Sequence, residues 1–69
     1  MAYKKIKYSA VPGSKVSTQM RYDAVLYAKV QAIAETEYRS TNAQIEYFIK
    51  KGVEQYELEH GEVAISVSD

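Results

Sequence analysis

Residues 15–23 read KVSTQMRYD, a stretch in which hydrogen-bonding and apolar side chains alternate. In a β-strand, successive side chains point to opposite faces. One face of such a strand would carry Ser17, Gln19 and Arg21, which are residue types that hydrogen-bond to the edges of DNA bases. The opposite face would be mostly apolar, and its residues are Val16, Thr18, Met20 and Tyr22. The stretch therefore predicts a strand with one reading face and one packing face.

The bulk properties narrow the classes of protein to consider. The chain has 69 residues and no cysteine, which predicts one small domain without disulfides or a thiolate metal site. It contains no apolar run of membrane-spanning length, and its start, MAYKKIKYSA, lacks the apolar core of a signal peptide. We therefore expect a cytoplasmic protein that does not insert into a membrane.

The charges are segregated along the chain although the formal net charge is zero. Residues 1–22 carry a charge of +5, residues 23–49 carry −2 and residues 50–69 carry −3. A basic front and an acidic back indicate a surface that meets a polyanion. A solvated, loosely ordered basic arm explains the same pattern equally well, so both interpretations stay open.

Turn-forming residues divide the sequence into three predicted regions. Pro12 and Gly13 interrupt it just before the alternating stretch. We expect a flexible basic N-terminal arm over residues 1–14, a folded domain over 15–60 and an acidic C-terminal tail over 61–69. The candidate arm contacts to DNA are Lys4, Lys5 and Lys7. The tail alternates apolar residues with small or polar ones, which is compatible with a short strand or a frayed end.

Two helices are predicted after the alternating stretch. Asp23 is a candidate N-cap for a first helix of about 13 residues that fades over residues 36–38. Ser40 or Thr41 can cap the second helix, and Thr41 with Gln44 has the spacing of a capping box. The second helix is expected to end near His60, because Gly61 follows it.

A single strand raises a pairing problem. Its backbone N–H and C=O groups need partners, and a second copy of the chain is the nearest source. A domain this small also has too little apolar surface to fold readily alone. We therefore expect a mainly α-helical homodimer with one strand per chain. The predicted dimer core is Met20, Tyr22, Leu26, Val30, Ile33, Ile45, Phe48, Ile49 and Val53.

This order of elements resembles the ribbon-helix-helix family of Arc- and MetJ-type DNA-binding proteins, and in particular its Arc-like repressors. The resemblance covers about residues 15–58. It rests on the strand pattern SxQxR, on the apolar stripe of the first helix and on the turn RSTNAQI over residues 39–45. It implies an intertwined dimer whose two strands form an antiparallel ribbon in the DNA major groove.

The resemblance also implies roles for individual residues. Base reading is assigned to Ser17, Gln19 and Arg21, which sit at the ribbon positions facing DNA. Phosphate contacts are assigned to Ser40, Thr41, Asn42 and Lys15. A two-fold ribbon presents six reading side chains, so we expect a pseudo-palindromic or repeated site, with dimers able to pair on DNA.

Two positions depart from the family pattern. Arc-like members carry a buried Arg–Glu–Arg triad, whereas this chain has Arg39, Gln44 and Phe48, which cannot form one. Many relatives also place glycine before the second helix, where the backbone takes a positive φ. Here that residue is Tyr38, so a different turn geometry is expected.

The sequence thus predicts a sequence-specific DNA-binding protein, a transcriptional repressor, with double-stranded DNA as its partner and no cofactor. The alternative is a protein-interaction module of the same fold, such as an antitoxin or a relaxosome or partition accessory protein, with the tail as the binding segment. No enzyme is expected, because the chain has no nucleophile–base set and no phosphate loop. Glu57 and His60 have a metal-ligand spacing, but a single histidine argues for a solvated helix end.

Overall fold

The computed structural model describes residues 6–67, so Lys4 and Lys5 of the predicted arm contacts lie outside it. It contains helix α1, Ala24–Thr36, and helix α2, Thr41–His60. Two short strands, β1 at Ser9–Ala10 and β2 at Ser66–Val67, lie near the two ends of the described chain. The prediction of a small, mainly helical chain with two helices is confirmed.

Helix α1 begins and ends where its side chains predict. The Oδ2 atom of Asp23 accepts a hydrogen bond of 3.0 Å from the backbone N–H of Leu26, which confirms Asp23 as the N-cap. The cap satisfies one of the amide groups that the first helical turn leaves unpaired. The helix has 13 residues, the predicted length, and Glu37 is its C-cap.

The turn between the helices is a Schellman motif. The N–H of Arg39 donates to the carbonyl oxygen of Ala34 at 2.9 Å, and the N–H of Tyr38 donates to that of Glu35 at 3.3 Å. Tyr38 has a φ of +58°, the left-handed region that glycine normally fills. The expectation of a different turn geometry at Tyr38 is therefore wrong: the turn keeps its positive φ with a tyrosine in that place.

Helix α2 starts with a serine cap. Ser40 Oγ accepts a hydrogen bond of 3.1 Å from the N–H of Ala43. The capping box predicted for Thr41 and Gln44 does not form, because the N-cap is Ser40 and not Thr41. The Gln44 amide N–H donates to the Glu37 carboxylate at 3.0 Å. The helix ends at His60, as predicted, and its C-cap Gly61 has a φ of +89°.

The strand predicted within residues 15–23 has no pairing partner among residues 6–67. The described strands are instead β1 and β2, which run parallel with Ser9 opposite Ser66 and Ala10 opposite Val67. The stretch is not assigned as a strand because a strand is defined by hydrogen bonds to a neighbouring strand. The partner predicted for residues 15–23 is the same stretch of a second copy of the chain. The β1–β2 pair was not predicted from the sequence.

Very little of the described chain is buried. Only Ala34 and Gln44 are fully buried among residues 6–67. The predicted core residues Met20, Leu26 and Ile49 are 65%, 57% and 61% exposed. The remaining members of the predicted core are exposed or half-buried, namely Tyr22, Val30, Ile33, Ile45, Phe48 and Val53. In the part that the structure describes, no helix is long and apolar enough to cross a membrane.

Candidate nucleic-acid interface

Between residues 16 and 22, only alternate residues line a groove beside helix α2. Val16, Thr18, Met20 and Tyr22 line one side of a groove of about 510 Å³ whose other side includes residues of α2. The residues between them, Ser17, Gln19 and Arg21, do not line this groove. This is the two-faced arrangement expected for an extended backbone.

The three polar residues of this stretch are exposed, and so are the residues between them. Within residues 6–67, the Arg21 guanidinium has no acidic group within 4.0 Å. Gln19, Met20 and Arg21 border a shallow depression of their own. The donors and acceptors of Gln19 and Arg21 are thus accessible to a ligand that approaches from outside the groove. We call Ser17, Gln19 and Arg21 the reading triplet.

Lys15 joins the start of this stretch to helix α2. Its ammonium nitrogen lies 3.4 Å from Glu46 Oε1, and both side chains are at least three-quarters exposed. An exposed ion pair of this kind contributes little to stability, about 0–1 kcal/mol. Lys15 can therefore exchange its carboxylate partner for a phosphate at small cost.

The N-terminus of α2 adjoins the same groove. Asn42 lines it together with Lys15. Ser40 uses its hydroxyl to cap the helix, whereas the amide groups of Thr41 and Asn42 precede the first helical hydrogen bond, which Gln44 donates to Ser40. Free amide groups and the helix dipole favour an anion at this point. The fold thus brings three of the four predicted phosphate contacts close to one helix end, with Lys15 beside them.

Two further cations near this helix were not predicted as site residues. The Arg39 guanidinium carbon lies 4.1 Å from the centroid of the Tyr47 ring, and the Lys51 ammonium lies 5.6 Å from the same centroid. Tyr47 follows Arg39 by eight residues and precedes Lys51 by four, so this spacing was the available signal. Arg39 directly precedes the Ser40 cap in the sequence, and its guanidinium lies over the Tyr47 ring of α2.

A second groove, of about 420 Å³, lies between α1 and α2. Tyr22, Tyr27 and Ile45 line both grooves, so the apolar side chains of the two grooves form one continuous surface. The rings of Tyr22 and Tyr27 are stacked with centroids 5.6 Å apart. The other residues lining this second groove are Leu26, Lys29, Val30, Ile33 and Phe48. Most of the predicted dimer core thus borders one continuous, open surface, which we call the apolar face.

The remaining candidates occupy the ends of the fold. Lys7 is exposed, and its ammonium lies 5.9 Å from the centroid of the Tyr8 ring. Glu57 does not pair with His60: its carboxylate accepts a hydrogen bond of 2.9 Å from the backbone N–H of Val63. The His60 ring instead packs near Tyr56, with centroids 4.4 Å apart.

Comparison with known proteins finds no matching family model, no matching curated protein and no matching solved structure. The resemblance to the ribbon-helix-helix family therefore depends on the residues of the alternating stretch and on the turn RSTNAQI. No relative assigns a function, so the site must be interpreted from its own chemistry.

Proposed function

We propose that this chain is a sequence-specific DNA-binding protein that acts as a homodimeric transcriptional repressor of the ribbon-helix-helix type. Two copies pair residues 15–23 into an antiparallel ribbon, which enters the major groove of operator DNA. The reading triplet contacts base edges, and the α2 N-terminus with Lys15 contacts phosphates.

The observation that carries this proposal is the separation of side chains before α1. The residues that line the groove beside α2 alternate with the exposed reading triplet. Arg can bond guanine O6 and N7 with two hydrogen bonds, and Gln can bond adenine N6 and N7 in the same way. A two-stranded ribbon fits the width of the B-DNA major groove. Gln19 and Arg21 are therefore residue types that can read base edges directly. In the proposed ribbon they would lie on an element that fits the major groove.

Dimerisation is supported by what one chain leaves uncovered. The apolar face is open, and only Ala34 and Gln44 are buried within the described residues. Monomeric proteins rarely expose large continuous apolar surfaces. The stretch before α1 also lacks a ladder partner in the part of the chain that the structure describes. An identical stretch from a second copy would supply both the hydrogen-bonding partner and the cover for the apolar face. One association event thus satisfies both needs.

Specificity and affinity have separate sources in this arrangement. Phosphate contacts position the protein on the duplex without reading sequence, whereas base contacts discriminate. The Thr41 and Asn42 amides, with Lys15 lining the same groove, supply the first kind of contact. The ribbon, with Gln19 and Arg21 from each copy, supplies the second. A two-fold dimer then selects a site with matching half-sites.

The experiment that tests the proposal is selection of binding sites from random duplexes, followed by gel-shift titration of variants. Arg21→Ala and Gln19→Ala should each lose discrimination at one position per half-site, by about 1–3 kcal/mol. Lys50→Ala, which removes an exposed cation of α2 that borders neither groove, is the control and should keep the selected sequence. Unchanged sequence preference in both reading variants would refute the assignment.

A further inference from the structure

The ion pair between Lys15 and Glu46 joins the stretch before α1 to helix α2. The Lys15 ammonium donates to Glu46 Oε1 at 3.4 Å, between residues that lie 31 positions apart in the sequence. Among residues 6–67, the other ion pairs, Lys51–Glu54 and Glu59–His60, both lie within α2. A cation at the start of the proposed ribbon is therefore held by an acid of α2.

Glu46 is the acid of α2 that lies nearest to the N-terminus of this helix. The first turn of α2 contains no acidic residue, and Glu46 is the first acid after it. Asn42 precedes Glu46 by four residues, so the two side chains lie on the same face of the helix. Lys15, Asn42 and Glu46 all line the same groove. The carboxylate thus lies among the residues that are proposed to contact phosphate.

The Lys15–Glu46 pair is weak enough to be exchanged. The two side chains are 85% and 75% exposed, and ion pairs of such exposed groups contribute little to stability. The oxygens of a carboxylate and of a phosphate both accept hydrogen bonds from an ammonium group. When Lys15 moves to a phosphate, the Glu46 carboxylate loses its cation and stays near a backbone of like charge, which is unfavourable. Both effects reduce the gain from the phosphate contact.

We infer that Glu46 competes with the DNA backbone for Lys15 and so lowers the affinity of this chain for any duplex. The inference rests on the proposed function, because it concerns a phosphate contact of the same DNA-binding chain. Phosphate contacts carry no sequence information. Glu46 therefore limits the strength of sequence-independent binding and leaves base reading by the reading triplet unchanged.

The test compares two glutamates of the same helix. Glu46→Gln removes the charge and keeps the shape of the side chain. Glu54→Gln is the matched control, because Glu54 also forms an exposed ion pair, at 3.5 Å from Lys51, but borders neither groove. Both variants are titrated by gel shift against a selected and a random duplex, at a fixed ionic strength of about 0.15 M.

Glu46→Gln should bind both duplexes about threefold to tenfold more tightly than wild type, because a dimer contains two such weak pairs. It should keep the selected sequence, and Glu54→Gln should match wild type. In a Lys15→Ala background, Glu46→Gln should change the affinity by less than about twofold, since the cation that the carboxylate competes for is gone. Circular dichroism checks that each variant keeps its helical content.

The outcomes distinguish this inference from the proposed function. Unchanged affinity in Glu46→Gln would overturn the inference and leave DNA binding intact. Weaker binding would also overturn it, since the pair would then support the ribbon stretch. An equal gain in Glu54→Gln, or a full gain without Lys15, would show that the carboxylate does not act by competing for this lysine. If neither wild type nor any variant binds a duplex, the proposed function fails, and this inference fails with it.

Discussion

Replacing Tyr38 with glycine should stabilise the protein, although it removes a large aromatic side chain. Tyr38 has a φ of +58° and is 97% exposed. Its ring therefore gains almost nothing from burial, whereas its Cβ forces a strained backbone. Glycine populates this region without steric cost.

The size of the effect follows from two opposing terms. A non-glycine residue in the left-handed region costs roughly 1–2 kcal/mol. Glycine loses more conformational freedom on folding, which costs about 0.5–1 kcal/mol relative to alanine. The difference predicts a net stabilisation of about 0.5–1 kcal/mol per chain for Tyr38→Gly.

The assay is urea unfolding followed by circular dichroism, at one fixed protein concentration because an associating chain has a concentration-dependent stability. Tyr38→Ala is the matched control, since it removes the same ring but keeps the Cβ. It should stay within about 0.5 kcal/mol of wild type, the usual range for a surface substitution. Tyr38→Gly should raise the urea midpoint without changing the slope.

Two results would refute this reasoning. If Tyr38→Gly and Tyr38→Ala destabilise equally, the ring makes a contact that matters, for example in a dimer. If Tyr38→Gly alone is destabilising, the unfolded-state entropy exceeds the strain at this turn. Either result would require a different account of how the Schellman motif between α1 and α2 is stabilised.

Three other predictions test the caps, the apolar face and the phosphate contacts. Asp23→Ala should destabilise α1 by about 1 kcal/mol, measured by urea unfolding, because Asp23 accepts the N–H of Leu26. Leu26→Asp should lower the association state seen by analytical ultracentrifugation, because Leu26 lines the apolar face, whereas Leu58→Asp should not, because Leu58 is 82% exposed and borders neither groove. Lys15→Ala should weaken binding to selected and random duplexes alike and reduce the salt slope by about 1, measured by gel shift at several salt concentrations. Unchanged association in Leu26→Asp would argue against the apolar face as the dimer surface.

The helical part of the fold could be predicted because its signals are local. Asp23, Ser40 and Gly61 act through hydrogen bonds or backbone angles within a few residues of themselves, so their types are informative in the sequence. The capping box at Thr41 was predicted from spacing alone and failed. Ser40 is the N-cap instead, and the Gln44 amide donates to Glu37, seven residues earlier across the turn. Spacing within one helix does not reveal a partner of this kind.

The arm and the tail could not be predicted in this way. Their pairing joins residues at opposite ends of the chain, and each strand has only two residues. Neither segment has a sequence pattern that indicates which strand it pairs with. Gly61 predicts the end of a helix, but it does not predict the direction that the tail takes afterwards. The Glu57 contact to Val63 depends on that direction, so it also had no signal in the sequence.

The reading triplet and the apolar face are two consequences of one backbone conformation. In an extended stretch, a shift by one residue moves every side chain to the opposite face. If Met20 and Tyr22 contact the helices, then Gln19 and Arg21 must point outward; if they do not, the polar side chains turn inward against an apolar groove. Burying unpaired Gln and Arg there would be costly, so packing and exposure favour the same register. DNA readout by this stretch and its association with a second copy therefore depend on the same register. A variant in which the polar and apolar positions of residues 16–22 are exchanged should lose both.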